Sequence, residues 1–293
     1  MTELDPKHQS QFVGSFDGTQ IATRLIGEGD GLPLLVSNAA GGNFAVWRRA
    51  LVDVVRERRV ILWDHRGMYE SAAPVSDRID LDAHREDALA CLEHWGVGDF
   101  AIASWSNGSR IALELARHEP KRVQGLAVIC GGYGQPIRRL LRWLELSAAL
   151  PVVAGVAKHF GSALEKTVRT LAARPELPGI VRQSGLIGPT ADITAITELV
   201  RGIASCDFKM FLALFEELAG AGSPQIAEGI TVPTLLVAGE RDRFTSRRMK
   251  DEMHAVIAGS RLVVYDRATH YLPMEYPARL SEDLRTFLSP FRG

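Results

Sequence analysis

The chain of 293 residues lacks most of the features that would place it at a glance. Net charge is almost absent: 34 Lys plus Arg stand against 35 Asp plus Glu, a formal −1. With no basic field to hold a polyphosphate, nucleic acid is not expected as a partner. Cysteine is scarce, and Cys91, Cys130 and Cys206 are odd in number and far apart. That excludes a disulfide framework and a cysteine metal knuckle, and it points to a reducing, cytoplasmic compartment with no metal expected. No apolar run reaches the ~18 residues that a membrane span needs. The longest, Leu146 to Ala157, is interrupted by Pro151, and MTELDPKHQS at the start has no apolar stretch of the kind a secretory signal carries. Repeats and low-complexity tracts are missing too. Gly131-Gly132-Tyr133-Gly134 lacks the spacing of a dinucleotide-binding loop, so no nucleotide cofactor is expected.

What the chain does have is alternation. Leu32 to Ser37, Arg59 to Trp63, Phe100 to Ser104 and Val123 to Cys130 are short runs rich in Val, Ile and Leu and apolar on both faces, as buried parallel strands are. Helix-length segments intervene, Leu81 to Trp95 and Gly108 to His118 among them. Val232 to Ala238, Arg261 to Tyr265 and a closing helix from Ala278 to Leu288 repeat the pattern. The expected fold is α/β, a mostly parallel sheet with helices on both faces. Residues 133–229 break the rhythm: they read as helices punctuated by proline and glycine, without a strand. The division is therefore a core of residues 1–132 and 230–293 with a helical insertion of residues 133–229. An insertion after a strand sits over the carboxyl edge, where such sheets bind ligands, so a lid is expected. The alternative is a helical module remote from any site.

The most informative stretch is FAIASWSNGSRIALELA, residues 100–116. A buried strand runs into a helix through Ser104-Trp105-Ser106-Asn107-Gly108, with small residues two before and two after Ser106. A nucleophile elbow needs that spacing, because larger flanks would clash with strand and helix. Ser104 is the competing nucleophile, but as the last strand residue it should be buried. A serine needs a base, and the base an orienting acid. Asp242 lies just beyond the strand Val232 to Ala238, and His270 lies on the loop after Arg261 to Tyr265. The order Ser106, Asp242, His270 is that of α/β-hydrolases rather than of chymotrypsin or subtilisin. Glu240 competes with Asp242 for the acid.

These features resemble the α/β-hydrolase superfamily over about residues 12–132 and 230–290. The elbow and the Asp242 and His270 segments match. Leu34 to Trp47 (LLVSNAAGGNFAVW) resembles the loop usually written His-Gly-x-x-Gly, and Asp64 to Ser71 (DHRGMYES) resembles the D-x-R-G-x-G-x-S turn. By position the resemblance implies Asn38 at the family's His, Ala39 at its Gly and Ala40 at the first oxyanion donor, with the Asn107 N–H as the second. Ser-Asn in place of His-Gly is similar to the 3-oxoadipate enol-lactonase branch. Tyr69 replaces the second glycine of the turn, and Thr269 replaces the glycine before the histidine. A serine nucleophile disfavours the dehalogenase and epoxide hydrolase chemistries that related families perform with aspartate.

The expected activity is cofactor-independent hydrolysis of a small ester or lactone through an acyl-enzyme. Alternatives are C–C hydrolysis of a vinylogous diketone, perhydrolase or halogenation-linked activity, and a non-catalytic ligand receptor. Trp105 either lines the substrate pocket or packs the core. Asn38 and Asn43 either bind substrate or satisfy loop backbone, and Arg66 should hold its turn. Within the insertion, residues 133–183 carry eight basic against three acidic side chains, and residues 184–229 six acidic against two basic. That asymmetry either draws in an anionic substrate or is a pair of solvated faces. Met210, Phe211, Leu214, Phe215 and Leu218 recur at helical spacing and should form lid core. Oligomeric state leaves no mark in the sequence.

Overall fold

The computed structural model describes residues 4, 10–132, 170, 174, 176–219 and 224–291. Seven strands form one sheet: β1 (Gln11–Gly14), β2 (Gln20–Ser37), β3 (Arg58–Trp63), β4 (Phe100–Trp105), β5 (Val123–Ile129), β6 (Thr234–Gly239) and β7 (Arg261–Tyr265). β2–β4, β4–β5, β5–β6 and β6–β7 pair in parallel, while β1–β2 and β2–β3 are antiparallel. β4 is thus flanked on both sides, and its six residues are all buried. Ala101 and Ala103 join one apolar cluster with Leu34, Val36 and Ile129, whereas Ile102 joins another with Leu35, Leu126 and Val128. A strand covered on both faces has no polar side to show, hence the uninterrupted runs. Each buried Val, Ile or Leu contributes about 1.5–3 kcal/mol.

β1 and the first half of β2 extend the sheet beyond the six expected strands. The apolar run Leu32 to Ser37 is only the end of an 18-residue strand. Gly27 and Gly29 look like turn residues, but they serve close approach instead. A Cβ on either would collide with backbone of the segment from Val55 to Arg58.

Helices α1 (Phe44–Trp47), α2 (Leu81–His94) and α3 (Ser109–His118) belong to the first half of the core. The Asp80 carboxylate accepts from the Ala83 N–H and so sets the start of α2. Between β5 and β6 the described residues form α4 (Leu177–Gln183), α5 (Ile193–Ser205) and α6 (Phe208–Ala219), with no strand among them. Then come α7 (Arg247–Val256), α8 (Leu272–Glu275) and α9 (Pro277–Leu288). α5 packs on α1, and α6 packs on the turn Ser106–Gly108. Leu214 and Leu218 of α6 are fully buried, with Met210, Phe211 and Phe215 packed against the same cluster.

The acidic half of the insertion spends charge on docking. Glu198 pairs with Arg48 at 3.1 Å and Asp192 with Arg49 at 3.2 Å. The basic half, and the apolar run Leu146 to Ala157, lie almost wholly outside the described residues. Among the described residues no helix is long and apolar enough to cross a membrane.

Candidate active site

β4 ends at Trp105, and the chain turns through Ser106-Asn107-Gly108 into α3. Ser106 has φ 58°, in the left-handed region that a non-glycine residue enters only when its surroundings force it. Gly108 shows why the flank must be small: a Cβ there would collide with the Asn38 carbonyl, and would lie 2.7 Å from the Ser37 oxygen. Ser104 is fully buried, and its hydroxyl donates to the Ala127 carbonyl at 3.1 Å. It cannot compete with the half-buried Ser106.

The three sequence-predicted triad members converge. His270 Nε2 lies 2.7 Å from Ser106 Oγ, and Nδ1 lies 3.0 Å from Asp242 Oδ2. A carboxylate only accepts, so Nδ1 carries the proton toward Asp242 and Nε2 is left to accept from the serine. Asp242 is itself fixed: Oδ1 accepts from the Phe244 and Thr245 N–H groups at 2.8 and 2.9 Å, and Oδ2 from the Thr245 hydroxyl at 2.5 Å. Burial pushes its carboxyl pKa up. His270, Lys250 and the Thr245 hydroxyl outweigh that and hold it below the ordinary value. Glu240, the rival acid, points elsewhere and accepts from the Arg267 N–H at 3.0 Å.

The segment around His270 is braced by residues that no motif signalled. The Trp105 indole donates to the His270 carbonyl at 2.9 Å, and the Phe244 ring lies 4.7 Å from the imidazole. Trp105 is buried, which matches the packing alternative of its two sequence readings. Thr269, in place of the family glycine, has a use: its N–H donates to one Glu275 oxygen at 2.7 Å and its hydroxyl to the other at 2.5 Å. Glu275 is buried and also accepts from the Gly188 N–H at 2.7 Å. One carboxylate therefore joins the histidine loop to the insertion.

The loop after β2 departs from its expected reading by one residue. The Ala40 N–H donates to Asn107 Oδ1 at 3.0 Å and so is committed inside the protein. Among the described residues the N–H groups of Ala39 and Asn107 have no hydrogen-bond partner. The open pair is Ala39 and Asn107, not Ala40 and Asn107. The substrate-binding role expected for Asn38 also fails to hold for its carboxamide oxygen, which accepts from the Trp47 indole at 2.6 Å. Asn43 caps α1, accepting from the Ala45 N–H at 3.0 Å.

The turn from Asp64 to Ser71 supports this loop from below. Arg66 is fully buried and grips Asp87 through two hydrogen bonds of 2.8 and 2.6 Å, as its structural reading requires. Tyr69 keeps the left-handed backbone (φ 51°) that a glycine would adopt at no cost. Its hydroxyl donates to the Gly41 carbonyl and its N–H to Cys206 Sγ at 3.4 Å. Among the described residues no three His, Cys, Asp or Glu side chains gather as metal ligands do.

Comparison with known proteins identifies the family. The model of the alpha/beta hydrolase fold family matches residues 33–277. A putative carbamate hydrolase, RutD, of Azorhizobium caulinodans is 26% identical, over 88% of this chain and 92% of its own length. A 3-oxoadipate enol-lactonase of Acinetobacter baylyi is 25% identical, over 90% of this chain and 91% of its own. The crystal structure of the enol-lactonase from Burkholderia xenovorans superposes with a TM-score of 0.74 at 21% identity, covering 95% of this chain and all of that one. With the elbow, the chain order of the three side chains and a family match across most of its length, the chain belongs to the α/β-hydrolase fold family.

Proposed function

We propose that this protein is a serine hydrolase that cleaves a small ester or lactone through an acyl-enzyme, without a cofactor. One observation carries the reading: a continuous hydrogen-bonded chain from Ser106 through His270 to Asp242, with links of 2.7 and 3.0 Å. His270 takes the Ser106 proton as Oγ attacks the carbonyl carbon, then gives it to the leaving oxygen as the tetrahedral adduct collapses. Asp242 holds the ring in the required tautomer and stabilises its charged form. The N–H groups of Ala39 and Asn107 receive the oxyanion, which appears only after attack, so their stabilisation favours the transition state over the substrate. Water then repeats the sequence on the acyl-enzyme.

Residues 133–229 act as the lid in this reading, supported by the packing of α6 on the Ser106 turn and the Glu275 link at Gly188. The ester or lactone preference is supported by the enol-lactonase relative, and a carbamate would meet the same machinery. The reading is tested by exposing the protein to a fluorophosphonate and mapping the added mass, alongside turnover of p-nitrophenyl acetate and an enol-lactone. Modification of the Ser106 peptide with ester or lactone turnover is expected. An unlabelled protein that cleaves neither substrate would overturn the proposal, and turnover confined to a vinylogous diketone would replace it with C–C hydrolysis.

A further inference from the structure

Hydrogen bonds from side chains and backbone fix much of the loop after β2. Asn107 takes the Ala40 N–H, Tyr69 takes the Gly41 carbonyl, and the Gly42 N–H returns to the Ala39 carbonyl at 2.7 Å. The peptide between Asn38 and Ala39 is held by a buried imidazole: His65 Nε2 lies 2.9 Å from the Asn38 carbonyl oxygen. A carbonyl can only accept, so Nε2 carries the proton. Nδ1 is then a bare lone pair, in keeping with the absence of any hydrogen-bond partner for that atom.

In a planar trans peptide the C=O and the following N–H point in opposite directions. Anchoring the Asn38 oxygen in the interior therefore turns the Ala39 N–H outward and fixes it there. A hydrogen bond received at the carbonyl also polarises the N–H of the same peptide unit, making it a better donor. We infer that His65 is a positioning residue of the oxyanion hole, holding the 38–39 peptide so that the Ala39 N–H meets the substrate oxygen. This rests on the serine-hydrolase reading and adds a residue that the triad and the family motif leave without a task.

The surroundings suit a permanent neutral strut. His65 is buried between the edges of the Trp63 and His84 rings, with centroids 5.9 and 5.0 Å away, beside the Arg66–Asp87 pair. Burial lowers its basicity, opposed by the Asn38 carbonyl and Asp87. A neutral ring donates from one nitrogen only, and here that nitrogen has a single partner.

The test compares His65→Leu, which keeps bulk and removes the donor, with His65→Gln, which can return an N–H to the carbonyl. Wild-type turnover of p-nitrophenyl acetate and fluorophosphonate labelling of Ser106 come first. Their absence would remove the hydrolase reading and this inference with it. Given both, His65→Leu should lose about 10²-fold in kcat with little change in KM. Its affinity for a trifluoromethyl ketone, which forms the tetrahedral oxyanion, should fall in parallel. The pH profile should keep its midpoint, and His65→Gln should recover part of the loss. Should His65→Leu not fold, wild-type amide spectra decide alone: the ketone should move the Ala39 N–H resonance downfield and leave Ala40 in place. A kcat within about threefold of wild type in folded His65→Leu, or a response at Ala40 in place of Ala39, would overturn the inference.

Discussion

Two halves of the proposed machinery meet at Ser106, and they are built from different parts of the polypeptide. The half proposed to move protons consists of side chains: Ser106, His270 and Asp242, each delivered by the end of a different strand unit. The half proposed to receive negative charge consists of backbone N–H groups, held by side chains with no chemistry of their own to perform. A side chain announces its role in the sequence. A backbone N–H looks the same at every residue but proline, so its role is decided by whichever neighbour has not already taken it.

The contrast can be broken experimentally, and the largest effect should come from the proton-moving half. Ser106→Ala and His270→Ala are each expected to lower kcat/KM about 10⁴-fold or more, and the double variant should lose little beyond either single one. Steady-state turnover of a p-nitrophenyl ester measures all three, and additive losses would show that the two residues act independently. Gly108→Ala tests the contact between the halves. Its Cβ would strike the Asn38 carbonyl, so a loss of about 3 kcal/mol in unfolding free energy is expected by urea titration. An unchanged midpoint would mean that the loop yields freely.

The supporting turn carries a pH signature of its own. Burial raises the Asp64 carboxyl to about 6, opposed by Arg24. The folded protein therefore binds this proton more tightly than the unfolded chain. The group's contribution to stability is greatest below the ordinary carboxyl pKa and is lost as pH rises through about 6. Relative to wild type, Asp64→Asn should gain on the order of 3 kcal/mol between pH 4 and pH 7, read from urea midpoints at both values. A difference that stays constant across that range would remove the perturbed carboxyl. The smallest effect is expected from Tyr69→Phe, which deletes only the hydroxyl on the Gly41 carbonyl. A loss of about 1 kcal/mol, seen as a few-fold decrease in kcat with KM held, would place Tyr69 among the supports of the charge-receiving half. A change in KM alone would place it instead at the substrate.

The same division explains what could be read from the sequence. Ser106, Asp242 and His270 were legible because a small-flanked elbow and two post-strand positions in fixed chain order are side-chain patterns. The parallel strands were legible because burial on both faces leaves continuous apolar runs. Which N–H stays open within Asn38-Ala39-Ala40-Gly41-Gly42 was not legible, since this is a stretch of small side chains without a landmark. Only the Asn107 carboxamide, from a distant segment, distinguishes Ala40 from Ala39. Trp105 could be read as pocket or as core, because adjacency in sequence does not tell which side a strand residue faces. The links from His65 to Asn38 and from Thr269 to Glu275 join segments whose pairing no local spacing encodes. The first half of β2 stayed hidden because its glycines permit close packing, where glycine more often signals a turn.

The insertion is fastened to the core in two chemically different ways. The Glu275 carboxylate is buried among neutral donors and lies beyond the reach of dissolved ions. The pairs Arg48–Glu198 and Arg49–Asp192 each have a partner open to solvent, with exposures of 44% for Glu198 and 46% for Arg49. Attraction between such charges fades once the Debye length shrinks from about 8 Å at physiological ionic strength to about 3 Å at 1 M. Concentrated salt thus loosens the α5 end of the insertion while its attachment at the histidine loop stays tight. If residues 133–229 act as the proposed lid, ionic strength would tune its α5 attachment without disturbing the link at Gly188.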